Sequence, residues 1–160
     1  IVDGFNILKT KEDPESVLMV VDGDDFLFSS LSLSLIDQVY KQYPAMITWG
    51  NHVHHPTGGQ SNCQPIPAEV IENNLYRDYK FVTSHLRTFK SKLWHNIKDE
   101  DLRDEDGKYF SVGWDVAFMM PMLEMARERG FFIPNIMYCY NRFNPIMEFL
   151  RRRAFIIWMT

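Results

Sequence analysis

The chain has 160 residues, 46% hydrophobic and 14% aromatic, with 17 Lys and Arg against 21 Asp and Glu for a net charge of −4. That is one domain's length with enough apolar residues for a core, and the mild negative charge argues against a general nucleic-acid binder. Cys63 and Cys139 lie far apart with no CxxC spacing, which argues against a disulfide framework, and no apolar run reaches membrane-spanning length. The expectation is a cytoplasmic setting with reduced thiols.

In chain order, residues 1–12 read as the end of a helix and a polar loop. Asp13-Pro14 breaks any helix, and the apolar run at 17–21 reads as a strand buried on both faces. Ser29-Ser30 is a candidate N-cap for a helix in which Leu35, Ile36, Val39 and Tyr40 recur at helical spacing, ended by Pro44. Residues 45–49 suggest a second short strand. Residues 50–67, rich in Gly, Pro and small polar residues, predict the longest loop. A short helix over 68–79 follows, then a strand-like start and helical end over 80–97, and an exposed charged loop at 99–107. The clearest helix is 114–130, with Asp115 in its first turn, a kink or split at Pro121 and a stop at Gly130. Residues 131–140 predict a final strand, 141–145 a turn, and 146–160 an apolar helix interrupted by Arg151-Arg152-Arg153.

The candidate site is Asp22-Gly23-Asp24-Asp25, directly after the first strand. Ligands bind at the carboxyl edge of open α/β sheets, and a glycine turn lets Asp22, Asp24 and Asp25 converge. Converging carboxylates call for a cation, and hard oxygen ligands suit magnesium or manganese held jointly with a substrate phosphate. A calcium loop of the EF-hand type is excluded, because Leu27 and Leu33 stand where its glycine and bidentate glutamate belong. A plain acidic turn stays open. So does a phosphohydrolase of the haloacid-dehalogenase type, although Phe26 occupies its Thr or Val position. His52, His54 and His55 with Cys63 match no structural zinc spacing and read as loop residues.

Four stretches together resemble the later part of a family-two, GT-A-type glycosyltransferase, specifically a bacterial and viral subgroup. They are Asp22-Gly23-Asp24-Asp25-Phe26-Leu27, the run from Tyr79 to Lys90 containing His85-Leu86-Arg87-Thr88-Phe89-Lys90, the helix from Trp114 to Ala126, and Tyr138-Cys139-Tyr140-Asn141-Arg142-Phe143-Asn144-Pro145. The resemblance covers about residues 5–147. It implies a mostly parallel sheet flanked by helices, a partial GT-A domain over 1–147 with a helical tail over 148–160, and a nucleotide-binding βαβ segment upstream of Ile1.

It also implies a metal-dependent, inverting transfer of a sugar from a nucleotide-diphosphate donor, a UDP-sugar first, to a hydroxyl of a glycan, protein or lipid. Asp22, Asp24 and Asp25 would bind Mn2+ or Mg2+ and the diphosphate, and Asp115 would be the catalytic base. From their spacing, His85 and Arg87, two apart, would face one side of a strand and could meet the diphosphate or the acceptor, with Arg87 as a fixed cation; a helix-surface arginine and a capped histidine is the alternative. Trp114 would stack on an acceptor sugar, or be core. Other domains of a longer parent chain are expected partners. An inactive binding module of the same fold is the non-enzyme alternative.

Overall fold

The structure, a computed structural model, describes residues 13–143 and the backbone of 154–159. The readings of 1–12 and of the three arginines lie outside the described residues. The elements are β1 (Val17–Asp22), β2 (Phe26–Leu27), α1 (Ser32–Gln42), β3 (Ile47–His55), α2 (Ala68–Glu72), β4 (Arg87–Lys90), α3 (Ser91–His95), α4 (Trp114–Ala126), β5 (Gly130–Asn141) and β6 (Ala154–Met159). One turn of 3-10 helix, Asp99–Leu102, precedes α4, and another, Arg127–Arg129, follows it.

The six strands form one mixed sheet in the order β2-β5-β3-β4-β1-β6. The expectation of a mostly parallel sheet is corrected: only β3 and β5 pair in parallel among the described strands, and the other pairings are antiparallel. The reason lies in β4. It pairs antiparallel with both β1 and β3, so β1, β3 and β5 all run one way with a reversed strand inserted between the first two. The carboxyl ends of β1, β3 and β5 therefore share one edge with the amino end of β4.

Alternation along β1 sets the layers. Leu18 and Val20 join a core with Phe118, Met119, Met122 and Leu123 of α4. Met19 and Val21 join the opposite core, with Ile36 of α1. At the start of α1, Ser29 Oγ accepts the Leu31 N–H at 3.1 Å, and the buried Ser32 hydroxyl donates to the Met137 carbonyl at 3.0 Å. That bond fixes the helix to β5. Tyr43 is extended (φ −127°, ψ 156°), as a residue before proline must be, so α1 stops there.

Three further expectations change. β3 does not stop at residue 49 but continues through His55, removing the first third of the expected loop. Its register against β5 shifts on both sides of Asn51, which accommodates Pro134 inside β5. Gly50 sits at this irregularity, where a Cβ would lie 2.4 Å from Met137 Cε and 3.2 Å from the Ile133 carbonyl. Second, α4 runs through Pro121 and ends at Arg127 (φ 53°), while Gly130 opens β5. Third, the tail is not helical where it is described: 154–159 pairs with all of β1, from Val17↔Met159 to Asp22↔Ala154. Phe155-Ile156-Ile157-Trp158 carries the β-branched and aromatic content of a strand, so the tail belongs to the same sheet.

Candidate metal centre and active site

β1 delivers Asp22 to the shared edge with its side chain buried (3% exposed). The turn after it closes when the Asp25 N–H donates to the Asp22 carbonyl at 3.0 Å. Two residues of β5, 113 and more positions downstream, then fix Asp25. The Tyr138 hydroxyl donates to Asp25 Oδ2 at 2.8 Å, and the Asn141 N–H donates to Oδ1 at 2.7 Å. Tyr138 Oη also accepts the Asp22 N–H at 3.0 Å. One phenol thus ties the end of β1 to the acidic turn.

His85 arrives from the segment before β4. Its ring stacks on Tyr138 at 4.6 Å and nearly parallel (4°), and its Nε2 lies 3.8 Å from Asp22 Oδ2. One ligating atom each from Asp22, Asp25 and His85 lie within 4.8 Å of one another. That spacing lets a single cation bridge all three. Asp24 stands outside this trio. Of the three predicted aspartates, Asp22 and Asp25 fall in this grouping with His85, a set of atoms that could hold a metal ion, and imidazole among carboxylates is a donor set compatible with Mn2+.

Burial pushes the Asp25 carboxyl up to about 6, and the charges of Asp22 and Asp24 add to this, while its bonds from Asn141 and Tyr138 oppose it. The Tyr138 phenol is raised as well, by burial and by the charges of Asp22 and Asp25. Positive charge at this point would favour the ionised form of Asp25, since carboxylates crowd there.

Arg87, the first residue of β4, is buried (1% exposed). Its guanidinium lies near the rings of Trp114 and Phe118, at 5.7 and 5.9 Å. Nη1 forms an ion pair with Asp115 Oδ2 at 3.0 Å, and Nη2 lies 2.9 Å from both ring nitrogens of His85. Asp115 is in the first turn of α4, more exposed than Arg87, and its Oδ1 accepts the Val116 N–H at 3.0 Å. Gly113, not Asp115, holds the capping position. Trp114 packs against the core, 5.4 Å from Phe118.

No family model and no curated protein matches the chain. The structure brings Asp22, Asp25, His85, Arg87 and Asp115 into one connected set, with Asp24 beside it in the turn.

His52 and His54, expected in a loop, alternate along β3 opposite Tyr138 and Tyr140 of β5. The rings of His52, His54, His85 and Tyr140 lie 5.3–5.7 Å apart in a connected cluster. Burial, helped by the charges of His54, Arg87 and Arg142, lowers His52 to about 4, so it is neutral at pH 7. Among the described residues, Cys63 joins no ligand cluster with these histidines. Sequence reasoning missed the roles of Tyr138 and of the Asn141 amide. Their signal was present in the Tyr-Cys-Tyr-Asn run, where Tyr138 and Tyr140 share a strand face. No helix among the described residues is long and apolar enough to cross a membrane.

Proposed function

We propose that this chain carries the metal and catalytic edge of a divalent-metal-dependent glycosyltransferase, which moves a sugar from a nucleotide-diphosphate donor to a hydroxyl acceptor with inversion. The observation that carries it is the Asp22–Asp25–His85 trio joined through Arg87 to a third, more exposed carboxylate, Asp115. A cation site alone fits many activities. A cation site with a separate carboxylate, opening from one sheet edge, fits a reaction that needs both leaving-group stabilisation and a base.

In this reading Asp22, Asp25 and His85 would hold the cation, which would supply charge neutralisation for the departing diphosphate. Asp115 accepts the proton of the acceptor hydroxyl as that oxygen bonds to the anomeric carbon and the bond to the diphosphate oxygen breaks. Arg87 adds a fixed positive charge between the two carboxylate groups. Tyr138 and Asn141 keep Asp25 oriented so that it ligates rather than swings into water.

Calorimetric titration of a UDP-sugar into the protein with Mn2+, with Mg2+ and with chelator tests the reading. Donor binding that requires the cation, tighter with Mn2+, is the expected result. Transfer that disappears in Asp115→Asn while donor binding persists would assign the base. Equal donor binding with and without chelator would overturn the proposal.

A further inference from the structure

At the end of the sheet opposite the acidic edge, the first residues of β5 face the second half of α1 across a groove of about 450 Å3. That volume falls within the roughly 300–1,000 Å3 of small-molecule sites. Leu35, Gln38, Val39 and Gln42 recur at helical spacing, so one stripe of α1 lines the groove. Phe131 lines it from β5, and its ring meets that of Tyr43 at 5.4 Å and 36°. From Phe132 to Tyr138 is about 15–20 Å of strand, so the groove lies apart from the candidate metal centre.

The lining chemistry narrows the ligand. Among the described residues no charged side chain lines the groove, which disfavours a phosphate, a carboxylate or a cation. Lys41, beside it in sequence, is paired with Asp37 at 2.8 Å. The side-chain amides of Gln38, Gln42 and Asn135 are exposed and hold no hydrogen-bond partner among the described residues. An aliphatic ligand would strip water from these amides and return no hydrogen bond, which costs free energy at each. A pairing peptide strand is disfavoured as well. Pro134 has no N–H to offer, and its carbonyl already accepts from the Asn51 amide at 2.8 Å.

What remains is an uncharged ligand with an apolar face and a rim of groups that both donate and accept. A sugar ring meets both demands. Its hydroxyls match amides, which carry donors and an acceptor on one group, and its C–H face packs on an aromatic ring. Tyr43 is 51% exposed, so such a face has a ring to rest on. We propose that the α1–β5 groove binds a neutral saccharide, stacked on Tyr43 and hydrogen-bonded by Gln38, Gln42 and Asn135. None of these residues belongs to the Asp22, Asp25 and His85 grouping, so the site stands without the metal-centre reading.

Saturation-transfer NMR with the methyl glycosides of glucose, galactose, mannose and N-acetylglucosamine tests this, with uridine as the comparison ligand. The proteins are wild type, Tyr43→Phe, Tyr43→Ala and the Gln38→Leu/Gln42→Leu double variant, all changed at surface side chains. Wild type should transfer to at least one glycoside and not to uridine, equally with and without chelator and at low and high salt. Tyr43→Phe keeps the ring and should bind as wild type does. Loss of two neutral hydrogen bonds predicts about tenfold weaker binding in Gln38→Leu/Gln42→Leu, and loss of the ring predicts a similar fall in Tyr43→Ala. Absence of transfer to every glycoside overturns the proposal, as does equal transfer to uridine. Affinity unchanged in both weakened variants, or transfer abolished by chelator, would place the sugar elsewhere and overturn it too.

Discussion

Replacing Asp25 by asparagine should change how stability depends on pH, and the direction follows from its surroundings. The carboxyl rises from 3.8 to about 6 on folding, chiefly through burial. The folded protein therefore holds this proton more tightly than the unfolded chain. Its stabilising contribution is complete below pH 3.8 and is lost as pH rises through about 6. At full weight that difference is worth ~3 kcal/mol, and partial solvent access at the turn reduces it to about 1–2 kcal/mol. Asparagine removes the titration and, like the protonated carboxyl, accepts well at one oxygen only, so near pH 4 it stands in for the wild-type side chain at little cost. Asp25→Asn should thus be about as stable as wild type near pH 4 and more stable by about 1–2 kcal/mol near pH 7. Urea unfolding followed by tryptophan fluorescence at pH 4, 5, 6 and 7 measures this, with buried Trp49 and Trp94 as reporters. Saturating Mn2+ at pH 7 should stabilise wild type, by about 2.7 kcal/mol at a hundredfold excess over its dissociation constant, and so bring it level with or above Asp25→Asn. A stability difference that stays flat between pH 4 and 7 would refute the reasoning.

Tyr138→Phe leaves the Asp22 N–H and Asp25 Oδ2 without their shared partner. It should cost about 1–3 kcal/mol in urea unfolding and weaken Mn2+ binding, whereas Tyr140→Phe should leave Mn2+ binding unchanged. Gly50→Ala pushes a methyl against Met137 Cε and the Ile133 carbonyl. A loss of about 1–3 kcal/mol is expected, and thermal unfolding indistinguishable from wild type would show that β3 and β5 separate more freely than their packing implies.

Legibility in the sequence followed locality. β1 was visible because a strand buried on both faces is an unbroken apolar run, and Asp22 had to stand at its end. Helices α1 and α4 were visible through period and terminal residues. β3 was hidden beyond Trp49 because Gly50, Asn51 and the histidines have loop composition, although His52 and His54 alternate correctly. β4 has only four residues and no periodic signal of its own. Its direction is a tertiary fact, and that direction carries His85 and Arg87 to the acidic edge. That His85, and not Asp24, lies in the candidate trio with Asp22 and Asp25 was unreadable for the same reason. The Asp22–Asp25 turn is local, but His85 reaches it only through pairing across the sheet.

The two hydrogen bonds that hold Asp25 join residues 113 and 116 positions apart, and that span bears on folding kinetics. Contacts between distant positions form late, after the long intervening chain has lost its freedom. The acidic turn can form early, but the orientation of Asp25 waits for β5 to dock. Metal capture added to a refolding reaction would then mark the last step of assembly, lagging the burial of Trp94 beside the helical core.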